Sequence, residues 1–247
     1  MERTEYERLA TLDQRLWWFR GLHAHMLQAF AQIGTLRDGA LVLDAGCGAG
    51  GLLAALVERF PTIEPIGLDL DPVTGIVARS ASGRPVCIGS VNALPFAGTK
   101  FAAIVTADVL CHHAVDETAV LEEFRRCLMP GGALVLNLPA YGWLFSGHDA
   151  AVHTVRRYTA AGVRRLLAGA GFTCIRASYW NTLLFPLMVL RRKLAWRTSA
   201  LWASDVALLP EPVEALFGLI VRTEAAILGL GLRLPFGGSV LATAIKP

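Results

Sequence analysis

Leu41-Val42-Leu43-Asp44-Ala45-Gly46-Cys47-Gly48-Ala49-Gly50-Gly51 reads as a short apolar strand ending in an acid, a loop with glycine at alternate positions, and a helix beginning near Leu52. Glycines at 46, 48 and 50 let the backbone turn tightly, with no Cβ to hold a ligand off. The helix behind the loop offers unpaired N–H groups and the positive end of its dipole. This is the pattern of a nucleotide-type cofactor site. Gly46, Gly48 and Gly51 also satisfy the G-x-G-x-x-G spacing of a dinucleotide loop, and Asp69 follows about twenty residues after it, where a ribose-binding acid belongs.

Asp44 decides between cofactors. A carboxylate ahead of the first glycine would repel a pyrophosphate, whereas it suits a cofactor with a cationic amino-acid end. S-adenosylmethionine has an ammonium, a sulfonium and no phosphate. The run Val42–Gly50 resembles the first motif of class I S-adenosylmethionine-dependent methyltransferases, which implies Asp44, Gly46, Cys47, Gly48 and Gly50 at the cofactor. Ile66-Gly67-Leu68-Asp69-Leu70-Asp71-Pro72 resembles the second motif, whose first acid, here Asp69, holds the ribose hydroxyls, with Leu70 beside it. A carboxylate at a strand's end can accept both hydroxyl protons, which agrees; Asp71 reads as a turn or N-cap residue. Gly89–Phe96 resembles the loop that reads adenine. The family usually has Asp where this chain has Ser90, a weaker acceptor, so recognition is expected to lean on the Val91 backbone. Ala107, ending strand four, completes the expected cofactor set. Met129-Pro130-Gly131-Gly132 resembles a further, structural landmark.

Composition narrows the class. A chain of 247 residues can bury one large core. The net charge of +3 is too small to indicate nucleic-acid binding, and no Lys/Arg run carries interleaved aromatics. Cys47, Cys87, Cys111, Cys127 and Cys174 show neither a C-x-x-C pair nor a zinc spacing, so no metal is expected, and reduced thiols in a cytoplasmic protein are. The acidic start, Met1-Glu-Arg-Thr-Glu-Tyr-Glu, does not read as a secretory signal.

Periodicity gives alternating strands and helices, hence an α/β fold with a mostly parallel, Rossmann-like sheet of seven strands covered on both faces. Strands are expected at 40–44, 65–69, 85–88, 102–107, 133–138, 172–179 and 239–245. Helices are expected at about 5–35, 50–59, 116–128 and 159–170. The first is marked by Leu9, Leu12, Leu16, Phe19, Leu22 and Met26 at helical spacing. Its Trp17-Trp18-Phe19-Arg20 cluster reads either as a packing anchor or as a lid over the cofactor. One domain is expected: a helical cap (1–39), a cofactor-binding core (40–180), an apolar helical insert (181–238) and a last strand (239–247).

Candidate catalytic residues gather after strands four and five. His112 lies where relatives carry Leu-Glu-His, with Cys111 in place of the Glu; it could orient the acceptor or take its proton, or simply bond backbone. The stretch Leu138–Asp149, continuing through His153, Arg156, Arg157 and Tyr158, packs many polar groups into an apolar chain. It resembles a bacterial methyltransferase subgroup with His-Asp, His and Arg-Arg-Tyr at this spacing. His148 and Asp149 could act as base and orienter, with His153 as another base. Arg156 or Arg157 could hold an anionic group, or the whole set could be a polar network pinning the loop.

In this fold strands six and seven normally form a tight hairpin. Here roughly sixty very apolar residues intervene. Leu183–Leu190 leads into Arg191-Arg192-Lys193, Trp196 and Arg197, and a second run, Val213–Leu232, is broken by Glu214, Arg222 and Glu224. Neither reaches the roughly eighteen apolar residues of a spanning helix. The insert suits a membrane surface at the cytoplasmic side, a greasy acceptor pocket, or a homodimer face. The expectation is methyl transfer from S-adenosylmethionine to a small or lipid-like acceptor. The rival is a non-catalytic scaffold that binds the cofactor and docks a partner through the insert.

Overall fold

The computed structural model describes residues 16–34, 36–195 and 209–247. The expected helical turns around Leu9 and Leu12, and Trp196 and Arg197, lie outside them. Helix α1 (Trp17–Ala31) leads into β1 (Leu41–Ala45), α2 (Gly51–Arg59), β2 (Glu64–Asp69), α3 (Pro72–Ser82), β3 (Val86–Ile88) and β4 (Phe101–Ala107). Then come α4 (Glu117–Cys127), β5 (Leu128–Pro139), α5 (Gly147–Ala151), α6 (Ala160–Gly169), β6 (Thr173–Trp180), α7 (Phe185–Ala195), α8 (Glu211–Gly229) and β7 (Ser239–Ile245). The strands form one sheet in the order β3-β2-β1-β4-β5-β7-β6. Only β7 runs against its neighbours, β5 and β6.

Both faces of the sheet are covered, as alternation along the strands requires. Leu43, Ile104 and Leu134 face α4 and α6, packing against Val120, Leu121, Phe124, Val163 and Leu167. Their neighbours Val42, Ala103 and Val135 face α1 and α2, packing against Leu22, Met26, Leu52 and Leu56. Burying runs of this kind on two faces explains why the strands read as continuous apolar segments rather than as alternating ones.

Two elements differ from the sequence reading. Helix α3 was not expected, because its pattern is inverted: it buries the small residues Thr74, Gly75 and Ala78 and exposes Ile76 and Val73. Gly75 is needed there, since a Cβ would lie 2.5 Å from Ile88 Cδ1. Asp71 caps it by accepting the N–H groups of Val73 and Thr74. Strand β5 begins at Leu128 rather than 133, directly after α4. Gly131, at φ 74°, continues the edge by donating its N–H to Lys246 O, and the Lys246 ammonium donates to Leu128 O.

The insert folds back onto the N-terminal helix. Gly21 of α1 sits against Val221 of α8, so close that a Cβ would fall 2.8 Å from Val221 Cγ2. Two of the three charges that interrupt the second apolar run point inward. Glu214 accepts the backbone N–H groups of Trp17 and Leu209, capping α1. Glu224, 1% exposed, accepts those of Thr182 and Leu183 ahead of α7, and burial pushes its carboxyl up. Buried acids on a helix otherwise so apolar are satisfied here by unpaired N–H groups of neighbouring turns.

Candidate functional site

Three adjacent strands carry an acid at their carboxyl ends: Asp69 closes β2, Asp44 is the last residue but one of β1, and Asp108 directly follows β4. All three line a cavity of about 1110 Å³ at the carboxyl edge of the sheet, where ligands bind in open α/β folds. From there the cavity runs between α1 and the insert, past Trp18, Leu22, Leu184, Met188, Val213 and Phe217.

The glycine loop forms one wall. Gly46, at φ 80°, leaves no room for a side chain: a Cβ would meet Val109 Cγ2 at 2.3 Å, so the loop after β4 packs directly on it. Gly46 and Cys47 both donate to Leu68 O, tying the loop across to β2. The Gly48 N–H donates to Asp69 Oδ2 (2.8 Å), and the Asp71 N–H to Asp69 Oδ1 (3.0 Å). Burial still raises the Asp69 carboxyl, those N–H groups opposing the shift. Burial, with the charges of Asp44 and Asp69, pushes the Cys47 thiol well up, so it stays neutral. Gly50 is a correction. It does not line the cavity; its missing Cβ makes room for Ala78 of α3, whose Cα would lie 2.7 Å away.

Leu70, Ser90, Val91 and Ala107, named from the sequence for the cofactor, line the cavity. Ser90 Oγ accepts the Asn92 N–H (3.2 Å), which fixes the turn. Trp17, Trp18 and Phe19 combine both sequence readings. Trp18 stacks on the fully buried Trp180 at 4.8 Å, anchoring α1, and all three rings also line the cavity as its roof. Beside them burial lowers His23 to about 4, keeping it neutral.

The polar cluster after β5 is largely a packed network. Asp149, 2% exposed, pairs with Arg157 through Nε (2.9 Å) and Nη2 (2.7 Å), accepts from the Ser146 backbone and hydroxyl, and has Arg192 at 3.8 Å. Arg157 spends its remaining nitrogen on Ala140 O (2.8 Å). Thus Asp149 pairs with Arg157 where a His148–Asp149 couple was expected, and Arg157 holds a carboxylate of the protein itself. Arg156 donates to the carbonyls of His112 and Val115, clamping the loop after β4. Tyr158 is also corrected: its hydroxyl donates to Glu117 Oε1 (2.8 Å) and contacts Leu110 O, and it does not line the cavity. Burial and the Glu117 carboxylate raise its phenol strongly. His112, His148 and His153 do line the cavity. Burial lowers His112, with the backbone of Val152 and His153 opposing the shift; His153 takes a left-handed φ of 57° at the turn below α5.

Asp108 is the cavity residue that the sequence reading passed over. It too is left-handed, at φ 53°. Burial raises its carboxyl to about 7; the Asn137 amide and Arg157 oppose that rise, and the Asp149 charge adds to it. Its signal in the sequence is a third acid at the end of a central strand, Thr106-Ala107-Asp108, directly ahead of the histidines.

These groups fit S-adenosylmethionine. Gly48, at φ 51°, presents bare backbone: a Cβ there would meet only open space. Asp44, 1% exposed at the mouth of that loop, supplies a carboxylate for an ammonium, and Asp69 keeps lone pairs for ribose hydroxyls. Three acids at one edge would repel a pyrophosphate.

Comparison with known proteins agrees. Residues 42–132 match the methyltransferase domain family. The chain is 30% identical over 135 residues to trans-aconitate 2-methyltransferase of Azoarcus sp. (strain BH72), covering 55% of this chain and 51% of that one. It is 31% identical over 142 residues to malonyl-[acyl-carrier protein] O-methyltransferase of Dechloromonas aromatica (strain RCB), covering 54% and 52%. The chain thus spans about half the length of the curated relatives it matches. Among solved structures, a Haloferax volcanii methyltransferase in complex with the Trm112 methyltransferase activator superposes with a TM-score of 0.63, at 20% identity over 100% of both chains. Haemonchus contortus phosphoethanolamine N-methyltransferase 2, solved with S-adenosyl-L-methionine, gives 0.60 at 15% identity over 90% of this chain and 52% of that one. With its strand order, its glycine loop and the acids near the ends of β1 and β2, the chain has the fold of the class I S-adenosylmethionine-dependent methyltransferases and is similar to their methyltransferase domain over residues 42–132.

Proposed function

We propose that this protein transfers the methyl group of S-adenosylmethionine to a small or lipid-like acceptor with an apolar body. The observation that carries the reading is the shape of the cavity. It begins at the glycine loop and the acids and continues into an apolar annex between α1 and the insert, made by Trp18, Leu184, Met188, Val213 and Phe217. The sulfonium supplies an activated methyl and a good leaving group. What falls to the protein is alignment and exclusion of water. Asp44 and the loop would hold the amino-acid end, Asp69 the ribose, and the rings of α1 would close the roof. Relatives named as O-methyltransferases of malonyl-[acyl-carrier protein] and of ubiquinone biosynthesis, and one named for trans-aconitate, favour an oxygen as acceptor.

The test is methyl incorporation from labelled S-adenosylmethionine into alkyl-chain carboxylic acids and alkylphenols of increasing length. Met188→Trp, which fills the annex, should depress transfer to the longer acceptors while cofactor affinity stays the same. Transfer indifferent to chain length and to Met188→Trp would sink the annex as acceptor site.

A bilayer-facing rim is the second reading. Leu183, just ahead of α7, and Leu187 and Leu190 on it are exposed, next to exposed Arg191. Apolar and basic groups so combined suit an anionic membrane surface. No described helix is long and apolar enough to cross a membrane. Sedimentation with anionic vesicles, lost on Leu187→Glu, is the expected result; equal sedimentation of both proteins would remove this reading.

A further inference from the structure

We infer that Asp108 is the general base that takes the proton from the acceptor, with Asn137 and Trp180 as the residues that position it. The inference rests on the methyl-transfer reading above and names the proton's destination, which that reading leaves open.

The geometry begins in the core. The indole N–H of Trp180, a residue with no exposed surface, donates to Asn137 Oδ1 at 2.7 Å. An indole can only donate, so the Asn137 amide is held with its oxygen toward Trp180 and its nitrogen the other way. That nitrogen donates to Asp108 Oδ1 at 3.0 Å. Oδ2 of the same carboxylate has no hydrogen-bond partner among the described residues, and Asp108 lines the cavity. One oxygen is therefore fixed and the other is open to accept. The backbone is committed as well: Asp108 has a left-handed φ of 53°, held by its N–H donating to Asn137 O (2.9 Å) and by the Cys111 thiol on its carbonyl (3.0 Å). A strained conformation at a cavity wall is the kind of cost a fold sustains where a side chain must be aimed.

Its place suits the task. The next residue, Val109, packs on Gly46, so Asp108 follows a strand whose loop touches the cofactor loop itself. The charged and titratable groups facing it are Arg157, Asp149 and Cys111. Arg157 is already spent on Asp149, and burial keeps the Cys111 thiol neutral. Burial lifts the Asp108 carboxyl to about 7, where a base is half in its active form at neutral pH. Burial lowers His112, the rival base, and so weakens it as a proton acceptor.

The acceptor's O–H bond breaks and its proton passes to Asp108 Oδ2. The oxygen pair so released makes the bond to the methyl carbon, and the carbon–sulfur pair leaves on sulfur. The proton is lost to water when the product departs.

The test needs no acceptor. Aspartate labelled with 13C at the carboxyl is titrated by NMR in the cofactor-free protein, with S-adenosylmethionine and with S-adenosylhomocysteine. The Asp108 signal is assigned from the Asp108→Asn spectrum or, should that variant not fold, by through-bond correlation to Val109. The midpoint expected for the free protein is near 7. The sulfonium should lower it by about one unit relative to the uncharged thioether, because a nearby cation favours the carboxylate. Asn137→Ala should raise it, since the amide's hydrogen bond is lost. Equal midpoints with both ligands bound would place Asp108 away from the transferred methyl and overturn the inference, as would a midpoint in the ordinary carboxylate range. If neither ligand binds folded protein, the methyl-transfer reading falls, and the base assignment with it.

Discussion

At the scale of single residues, the acids at the sheet edge have separable roles. On the proposed reading Asp44 would face the cofactor's cationic end, so Asp44→Ala should weaken S-adenosylmethionine at least about 30-fold by calorimetry, the loss expected when one partner of a buried charge pair is removed. Asp108 shows itself through stability. Its folded carboxyl is raised to about 7 by burial, whereas the unfolded chain releases the proton near pH 4. Stability therefore falls as pH rises through that window, and the penalty is complete above it. Asp108→Asn should be the more stable protein at pH 8, on the order of 2–4 kcal/mol, with the gap closing by about pH 4; denaturant titrations at the two pH values check this. Arg157→Met tests the corrected reading of the cluster after β5. Removing one partner of the buried Asp149 pair should destabilise by about 3–5 kcal/mol, whereas an arginine waiting for a substrate anion would cost little. The glycine loop and Asp69 could be read from sequence because their chemistry is local and fixed in spacing. The partners of Asp149, Arg157 and Tyr158 could not, because each is chosen by where loops far apart in the chain come together.

Among the elements, Glu214 joins the two ends of the chain. It caps α1 from α8, so Glu214→Ala should cost about 1–3 kcal/mol and speed hydrogen exchange in the first turn of α1 while leaving the β-sheet amides protected. Uniform loss of protection would mean that the cap is not a local device. Sequence periodicity found the strands of the sheet because two covered faces leave long apolar runs. It missed α3, whose buried face is made of small residues and whose outer face is apolar, the reverse of the usual stripe. It shortened β5 because Pro130-Gly131-Gly132 reads as a turn, although here that segment continues the strand beside Lys246. The charges in the insert read as breaks in a surface helix. Two of them are internal caps, a distinction that depends on which N–H groups lie opposite.

Across the whole molecule, the sheet positions one edge and the two terminal regions roof it. The order β3-β2-β1-β4-β5-β7-β6 brings Asp69, Asp44 and Asp108 side by side, and α1 with α8 closes the cavity above them. This arrangement follows from connection rules and covered faces, and could be foreseen from the alternation of elements. The size and direction of the annex could not, because they depend on how α7 and α8 pack over the N-terminal helix. On this reading the edge holds S-adenosylmethionine rather than a dinucleotide. Titration calorimetry of the protein with S-adenosylmethionine, S-adenosylhomocysteine and NADH tests it most directly. Saturable binding of the two adenosyl ligands, none of NADH, and loss of the first on Asp44→Ala is the predicted result; NADH binding, or no adenosyl binding by well-folded protein, would contradict it.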